Sequence, residues 1–202
     1  MRLGILGGTF NPPHLGHLVC AQEAYLHLGL DRVMLIPARI PPHKSVEEEP
    51  GVDHRLELCR IAIEGDARMA VSDLEVTRDG PSYTVDTLGV LKARAPDTEL
   101  FLIVGGDIAA GFPQWRDPEG VLSLASLAVA QREGTDRHTI DEALEQVKGG
   151  DGATFFPMPM ISISSSAVRE RTRLGQPIKY LVPDAVAAYI REHGLYGGIT
   201  SQ

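Results

Sequence analysis

The chain alternates between short unbroken apolar runs and stretches in which apolar residues recur every three or four positions. Leu3 to Leu6 is a run of the first kind, stopped by Gly7-Gly8, and predicts a buried strand ending in a tight turn. From His17 to Leu30 the positions Leu18, Ala21, Tyr25 and Leu28 follow helical steps, and Gly29 closes the pattern. Val33 to Ile36 predicts a second buried strand, ended by Pro37, and "ARIPPHKSVEEEPG" is a charged, proline-broken loop. Asp53 is placed to cap a helix carrying Leu56, Cys59, Ile61 and Ile63. "MAVSDLEV", residues 69–76, alternates as a strand does, and Ser82 is placed to cap a helix facing inward through Val85, Leu88 and Leu91. "LFLIV", residues 100–104, is five apolar residues without a break and predicts the centre of the sheet. A strand at Leu127 to Ala130, a helix from Ile140 to Val147, a strand at Thr154 to Phe156 and helices starting near Ser165 and Pro183 complete the pattern.

Strand and helix thus take turns almost throughout, with no two-residue hairpin between strands. That order implies an α/β fold: a doubly wound parallel sheet with right-handed crossovers and helices on both faces. One domain over residues 1–197 is expected, with 198–202 as a flexible tail. In such sheets ligands sit beyond the carboxyl ends of the strands, where the chain order reverses. Four segments then converge on one site: Gly7 to His17, Ala38 to Lys44, Gly105 to Trp115 and Met158 to Arg169.

Composition narrows the function classes. The 202 residues, 43 % hydrophobic and 23 % charged, are ordinary for a globular chain, and the net charge of −8 argues against nucleic acid as the main partner. An acidic protein that binds an anion must gather its positive groups locally. Cys20 and Cys59 have no metal-type spacing and read as reduced core thiols. The chain has neither a leader-like apolar segment nor an apolar run of membrane-spanning length, so no membrane partner and a cytoplasmic location are expected. A homo-oligomer is left open.

"GGTFNPPHLGH", residues 7–17, holds three glycines, two prolines and two histidines in eleven positions. Gly7 and Gly8 let backbone N–H groups approach a ligand, Pro12 and Pro13 hold the chain out of the helix that follows, and His14 and His17 stand three apart at the helix entrance. A helix N-terminus already favours phosphate, and two imidazoles add donors that share charge with a polyphosphate as it rearranges. This is neither a Walker A loop nor the G-x-G-x-x-G fingerprint. A protein-held metal is not expected here, because the loop offers no Cys, Asp or Glu as a third ligand. By itself, His14 is also readable as a solvated loop residue.

"GTFNPPHLGH" resembles the G-T-F-[DN]-P-x-H-x-G-H signature of the nucleotidyltransferase superfamily whose hallmark is H-x-G-H. "IPPHK" at 40–44, "GPSYTVDTL" at 80–88, "GGD" at 105–107 followed by "FPQW" at 112–115, "ISSSAVR" at 163–169 and "YLVP…VAAYIREHGLY" at 180–196 follow in order. Over nearly its whole length the chain resembles the bacterial nicotinate-nucleotide adenylyltransferases. That resemblance implies a Rossmann-like fold and transfer of AMP from ATP to nicotinate mononucleotide, giving deamido-NAD and pyrophosphate in NAD biosynthesis. Mg²⁺ is expected with ATP, without an evident protein ligand set. The acceptor's own phosphate would attack the α-phosphorus in line, so the protein positions groups and stabilises charge.

Carried over residue by residue, the resemblance puts Gly7, Gly8, Thr9, Phe10, His14, His17, Gly105, Asp107, Ser165, Ser166 and Arg169 at ATP. His14, His17, Lys44 and Arg169 form the catalytic set, His17 being the most direct stabiliser of the reacting phosphates. Thr9, Lys44, Ser82, Tyr83, Thr84, Asp107 and Trp115 are assigned to nicotinate mononucleotide. Sequence alone leaves Lys44 and Arg169 readable as solvated cations, Asp107 as a helix cap and Trp115, the only tryptophan, as core filler. The helix entrance at Ser82 to Thr84 is expected to take the nicotinate carboxylate and so to prefer the acid over nicotinamide mononucleotide. Ser166, where many relatives carry Thr, keeps a hydroxyl, whereas Ile108 replaces a frequently polar residue beside Asp107. The competing readings are a different acceptor within the superfamily, such as nicotinamide mononucleotide or phosphopantetheine, and a non-catalytic nucleotide sensor.

Overall fold

The computed structural model describes residues 1–42, 50–132 and 136–197. Six strands form one parallel sheet: β1 (Arg2–Gly8), β2 (Arg32–Pro37), β3 (Met69–Val71), β4 (Glu99–Gly105), β5 (Ser126–Gln131) and β6 (Thr154–Pro157), in the order β3-β2-β1-β4-β5-β6. The chain winds outward in one direction from β1 through β3, then returns to β4 and winds the other way. The reversal between β1 and β4 is the switch point of a doubly wound sheet.

Alternating side chains of the central strands bury on opposite faces. Leu100, Leu102 and Val104 of β4 enter one core cluster, while Phe101 and Ile103 enter the other. The first face is covered by α3 (Thr84–Arg94), α4 (Gly106–Ala110), α5 (Pro118–Leu124) and α6 (Arg137–Glu145) through Leu88, Ala109, Val121, Ile140 and Leu144. On the second face α1 (Leu15–His27) packs through Cys20, Ala21 and Ala24, and α2 (Val52–Ala62) adds Cys59. A third cluster joins α2 to α7 (Ser165–Arg173) and α8 (Asp184–Glu192) through Leu58, Val168, Val186 and Ile190. Gly4 in β1 is required by close packing, since a Cβ there would stand 2.7 Å from the Leu30 side chain and 2.8 Å from that of Ile103.

The register shapes the ligand crevice. β1 pairs with β2 as far as Gly8–Pro37, but with β4 only as far as Ile5–Leu102. Beyond that pair the two central strands part, and each stays bonded to its outer neighbour, β4 reaching Gly105–Ala130 on β5.

Several elements differ from the sequence expectation. Only Met69–Val71 of "MAVSDLEV" is strand, because the chain turns at Asp73, whose carbonyl accepts from Thr77 N–H at 2.9 Å; Leu74 and Val76 bury without pairing. Helix α1 begins at Leu15 with His14 as N-cap, and α2 is capped by Gly51 at φ +97°, leaving Asp53 inside the first turn. Tyr83, not Ser82, caps α3. Helix α6 starts at Arg137 because the Asp136 carboxylate accepts from the N–H groups of His138 and Thr139. Helices α4 and α5 are five and seven residues long, too short to leave a periodicity. Residues 198–202 lie outside the described residues. No described helix is long and apolar enough to cross a membrane.

Candidate active site

A cavity of about 1120 Å³ opens where β1 and β4 part, above the usual size of a single small-ligand pocket. It is walled by the ends of β1, β4 and β5 and by the entrances of α1, α3 and α7. A Cβ at Gly7 would meet nothing within 4 Å, whereas one at Gly8 would crowd the Phe10 ring at 3.3 Å. Phe10 is buried at φ +49° and lays its ring edge-on to His17 at 5.0 Å. Its side chain thus supports the histidine from below.

His14, Gly16 and His17 of "HLGH" each have a local physical reason. His14 is the extended N-cap of α1 and His17 is the third helical residue, so the pair stands in a capping-box relation. The His17 Nδ1 accepts from the His14 backbone N–H at 3.2 Å, which leaves Nε2 as the N–H donor of neutral His17. Reciprocally the His14 ring faces the His17 amide, more loosely, and its buried Nδ1 makes no hydrogen bond of good geometry. The two rings stack at 3.7 Å and 28°. Glycine stands at 16 because a Cβ there would sit 3.0 Å from His14 Nδ1. Burial, assisted by the positive charge of Arg132, pushes the His14 pKa down to about 4, so the imidazole is neutral near pH 7. Two of the helix's first amides are already taken: Leu15 N–H donates to Leu181 and His17 N–H to the His14 carbonyl. Both imidazoles line the cavity.

Residues from α7 hold this loop in place. Ser165 Oγ donates to the Pro12 carbonyl at 2.8 Å, and Arg169 donates to the Asn11 carbonyl at 2.9 Å and to Ser166 Oγ at 3.4 Å. All three residues line the cavity, as expected, and Ser165 and Arg169 also clamp the β1–α1 loop. Lys44 lies outside the described residues.

The other wall is the α3 entrance. Ser82, Tyr83, Thr84, Asp107 and Trp115 all line the cavity. The Ser82 hydroxyl is buried and accepts from the Arg39 backbone N–H at 2.9 Å, so it is committed within the protein. Ser82 and Tyr83 N–H groups donate to Ile40 and Pro81, leaving the N–H groups of Thr84, Val85 and Asp86 as those without an intrahelical acceptor. Trp115 packs against Phe112 at 5.3 Å, as core filler would, and also lines the cavity. Asp107 lies in the first turn of α4, whose N-cap is Gly105; a Cβ at 105 would meet Asp107 Oδ1 at 2.7 Å.

Two arginines escaped the sequence reading, one lining the cavity and one buried behind its loops. Arg132 follows the last residue of β5 and lines the cavity, so the rule that ligands gather at strand ends could have flagged it. Arg55 gave no signal, being one polar position on a helix. Its guanidinium is fully buried and donates to the carbonyls of Thr9 at 2.9 Å, Ala38 at 2.7 Å and Arg39 at 3.2 Å, tying the loop after β1 to the loop after β2.

Known proteins resemble the chain in sequence and in fold. Residues 5–171 match the family described as Cytidylyltransferase-like. The chain is 39 % identical over 200 residues to a "Probable nicotinate-nucleotide adenylyltransferase" of Geobacillus thermodenitrificans, covering 99 % of this chain and 88 % of that one. It is 37 % identical over 195 residues to the nicotinate-nucleotide adenylyltransferase of Bacillus subtilis, covering 96 % and 98 %. The fold is that of Plasmodium falciparum nicotinic acid mononucleotide adenylyltransferase complexed with NaAD, with a TM-score of 0.77 at 19 % identity over 99 % of both chains.

Proposed function

Since this chain belongs to the cytidylyltransferase-like family, among its nicotinate-nucleotide adenylyltransferases, we propose that it joins AMP from ATP to nicotinate mononucleotide, releasing pyrophosphate and deamido-NAD. The observation that carries this reading is one cavity with a stacked histidine pair, its His17 tautomer fixed, on one wall and an open helix N-terminus beside Trp115 on the other. The first suits a polyphosphate and the second a pyridine ring bearing a carboxylate.

The acceptor's phosphate oxygen attacks the α-phosphorus, and the bond to the bridging oxygen of the departing pyrophosphate breaks on the opposite side. No protein nucleophile and no protein base are needed, because the attacking phosphate is already an anion at neutral pH. His17 Nε2–H is the donor we assign to the charge that builds on the phosphates, with His14 beside it. Such donors are most effective when their geometry is set before the reaction, as the capping box sets it here. Thr9, Arg169 and Lys44 complete the proposed phosphate set, and Gly105 and Asp107 the proposed ribose contact. The N–H groups at Thr84 receive the carboxylate on the ring.

Mg²⁺ is proposed to enter with ATP. Among the described residues no group of three or more His, Cys, Asp or Glu could hold a metal. When bound it neutralises charge on the triphosphate. We also propose a cytoplasmic protein, in keeping with two buried free thiols, Cys20 and Cys59.

The test is pyrophosphate release from ATP and Mg²⁺ with nicotinate mononucleotide, nicotinamide mononucleotide or phosphopantetheine as acceptor. Release is expected with the first and far less with the others. Equal kcat/KM for the acid and the amide would overturn the assignment of the α3 entrance, and release with none of the three would favour a nucleotide sensor.

A further inference from the structure

Glu75 is 7 % exposed, lines the same cavity as the α3 entrance, and has no part in the adenylyl transfer outlined above. It sits in the turn after β3. Two hydroxyls close on its carboxylate from either side of the α3 entrance. Thr87, in the second turn of the helix, donates its hydroxyl to Glu75 Oε1 at 2.7 Å and accepts from the Arg78 guanidinium at 3.0 Å. Ser82, just before the helix, accepts from Arg39 N–H at 2.9 Å and donates to the same carboxylate. Burial raises the Glu75 pKa, while the two hydroxyls and Arg78 act against that rise.

One anion, one cation and two hydroxyls make a set with little net charge, and the acidic side chain in the first turn, Asp86, is paired with Arg116 at 3.8 Å, so the positive end of α3 is only partly offset. Between the two anchored residues lie Thr84, Val85 and Asp86, whose N–H groups find no acceptor inside the helix. Fastening both flanks of that turn to one buried carboxylate fixes the direction of its amides. Resting on the acceptor assignment made above, we infer that Glu75 is a positioning residue for the acceptor, holding the α3 entrance in the orientation that receives the carboxylate of the pyridine ring.

Charge and position predict opposite signs when Glu75 is neutralised, which makes Glu75→Gln informative. Removing a negative charge, taken alone, lowers KM for the anionic acceptor; loss of positioning raises it. Steady-state kinetics of Glu75→Gln, Thr87→Val and Thr87→Ser are compared with wild type, with circular dichroism and KM for ATP as controls of the fold. In Glu75→Gln and Thr87→Val, KM for nicotinate mononucleotide is expected to rise about tenfold, with kcat and KM for ATP within about twofold of wild type. Thr87→Ser, which keeps the hydroxyl, is expected to restore KM. An unchanged or lowered KM for the acceptor in Glu75→Gln overturns the role. So does a parallel rise for both substrates that Thr87→Ser does not correct, since that marks a purely structural part. Wild-type enzyme that treats acid and amide alike removes the acceptor assignment itself, and this is seen before any variant is made.

Discussion

Replacing Arg55 by Met exchanges a fully buried guanidinium for an apolar side chain of similar length and leaves three carbonyls, those of Thr9, Ala38 and Arg39, without that donor. Hydrogen bonds from a charged group contribute about 1.5–3 kcal/mol each, and a buried acceptor left alone costs about 1–3 kcal/mol. These terms do not add in full. The bond to Ala38 is wholly buried, while those to Thr9 and Arg39 are partly buried, so water can replace some of what those two lose. Removing the charge also relieves its desolvation. The balance is a loss of about 3–5 kcal/mol, a large share of the roughly 5–15 kcal/mol that holds a domain of ordinary stability. Arg55→Lys keeps the charge but loses the planar fork that reaches two loops at once, and should lose about half as much. Equilibrium urea unfolding at constant m-value measures both variants. A loss below about 1 kcal/mol for Arg55→Met would refute the reasoning, because it would mean that the two loops hold their places without the guanidinium.

Three further outcomes follow from the histidine pair. His17→Ala removes the best-oriented donor and should lower kcat about 10²–10³-fold in the pyrophosphate-release assay, with little change in thermal stability. Gly16→Ala puts a methyl group 3.0 Å from His14 Nδ1, displacing the stacked ring by a few tenths of an ångström; kcat should fall at least severalfold, and a crystal structure should show the tilted imidazole. The His14 pKa of about 4 lies below the ordinary 6.5, so between these values the unfolded chain holds a proton that the folded protein does not. The stabilisation is therefore complete above about pH 6.5 and is lost as pH falls toward 4, on the order of 3 kcal/mol in all; His14→Gln should flatten that part of the urea-derived stability-against-pH curve.

What could be read from the sequence, and what could not, divides along physical lines. Strands β1, β2, β4 and β5 were legible because a strand buried on both faces must be apolar at nearly every position, and "LFLIV" is so throughout. The histidine wall of the cavity was legible because its capping box is local: His14 and His17 explain each other within four residues. Helices α4 and α5 left no trace, being shorter than the window in which a helical period can be seen. "MAVSDLEV" misled because Leu74 and Val76 bury as strand residues would, although the chain has already turned at Asp73. Arg55 and Glu75 could not be found by pattern at all. Arg55 works through carbonyls of two strand-end loops and Glu75 through hydroxyls at the α3 entrance, so their meaning exists only once the fold has brought those groups together. Ser82 lines the cavity, but its N–H and hydroxyl are engaged within the protein, with the Ile40 carbonyl and the Arg39 N–H.

The parting of β1 from β4 beyond Ile5–Leu102 also fixes a dimension. Both walls of the crevice remain laddered to their outer neighbours, β1 to β2 and β4 to β5, so neither can lean inward to meet a smaller occupant without breaking bonds on its far side. The gap is thus gauged by main chain. Substituting a side chain along it can alter which chemical groups an occupant meets, but the caliper itself would change only if the register of the central pair were reset.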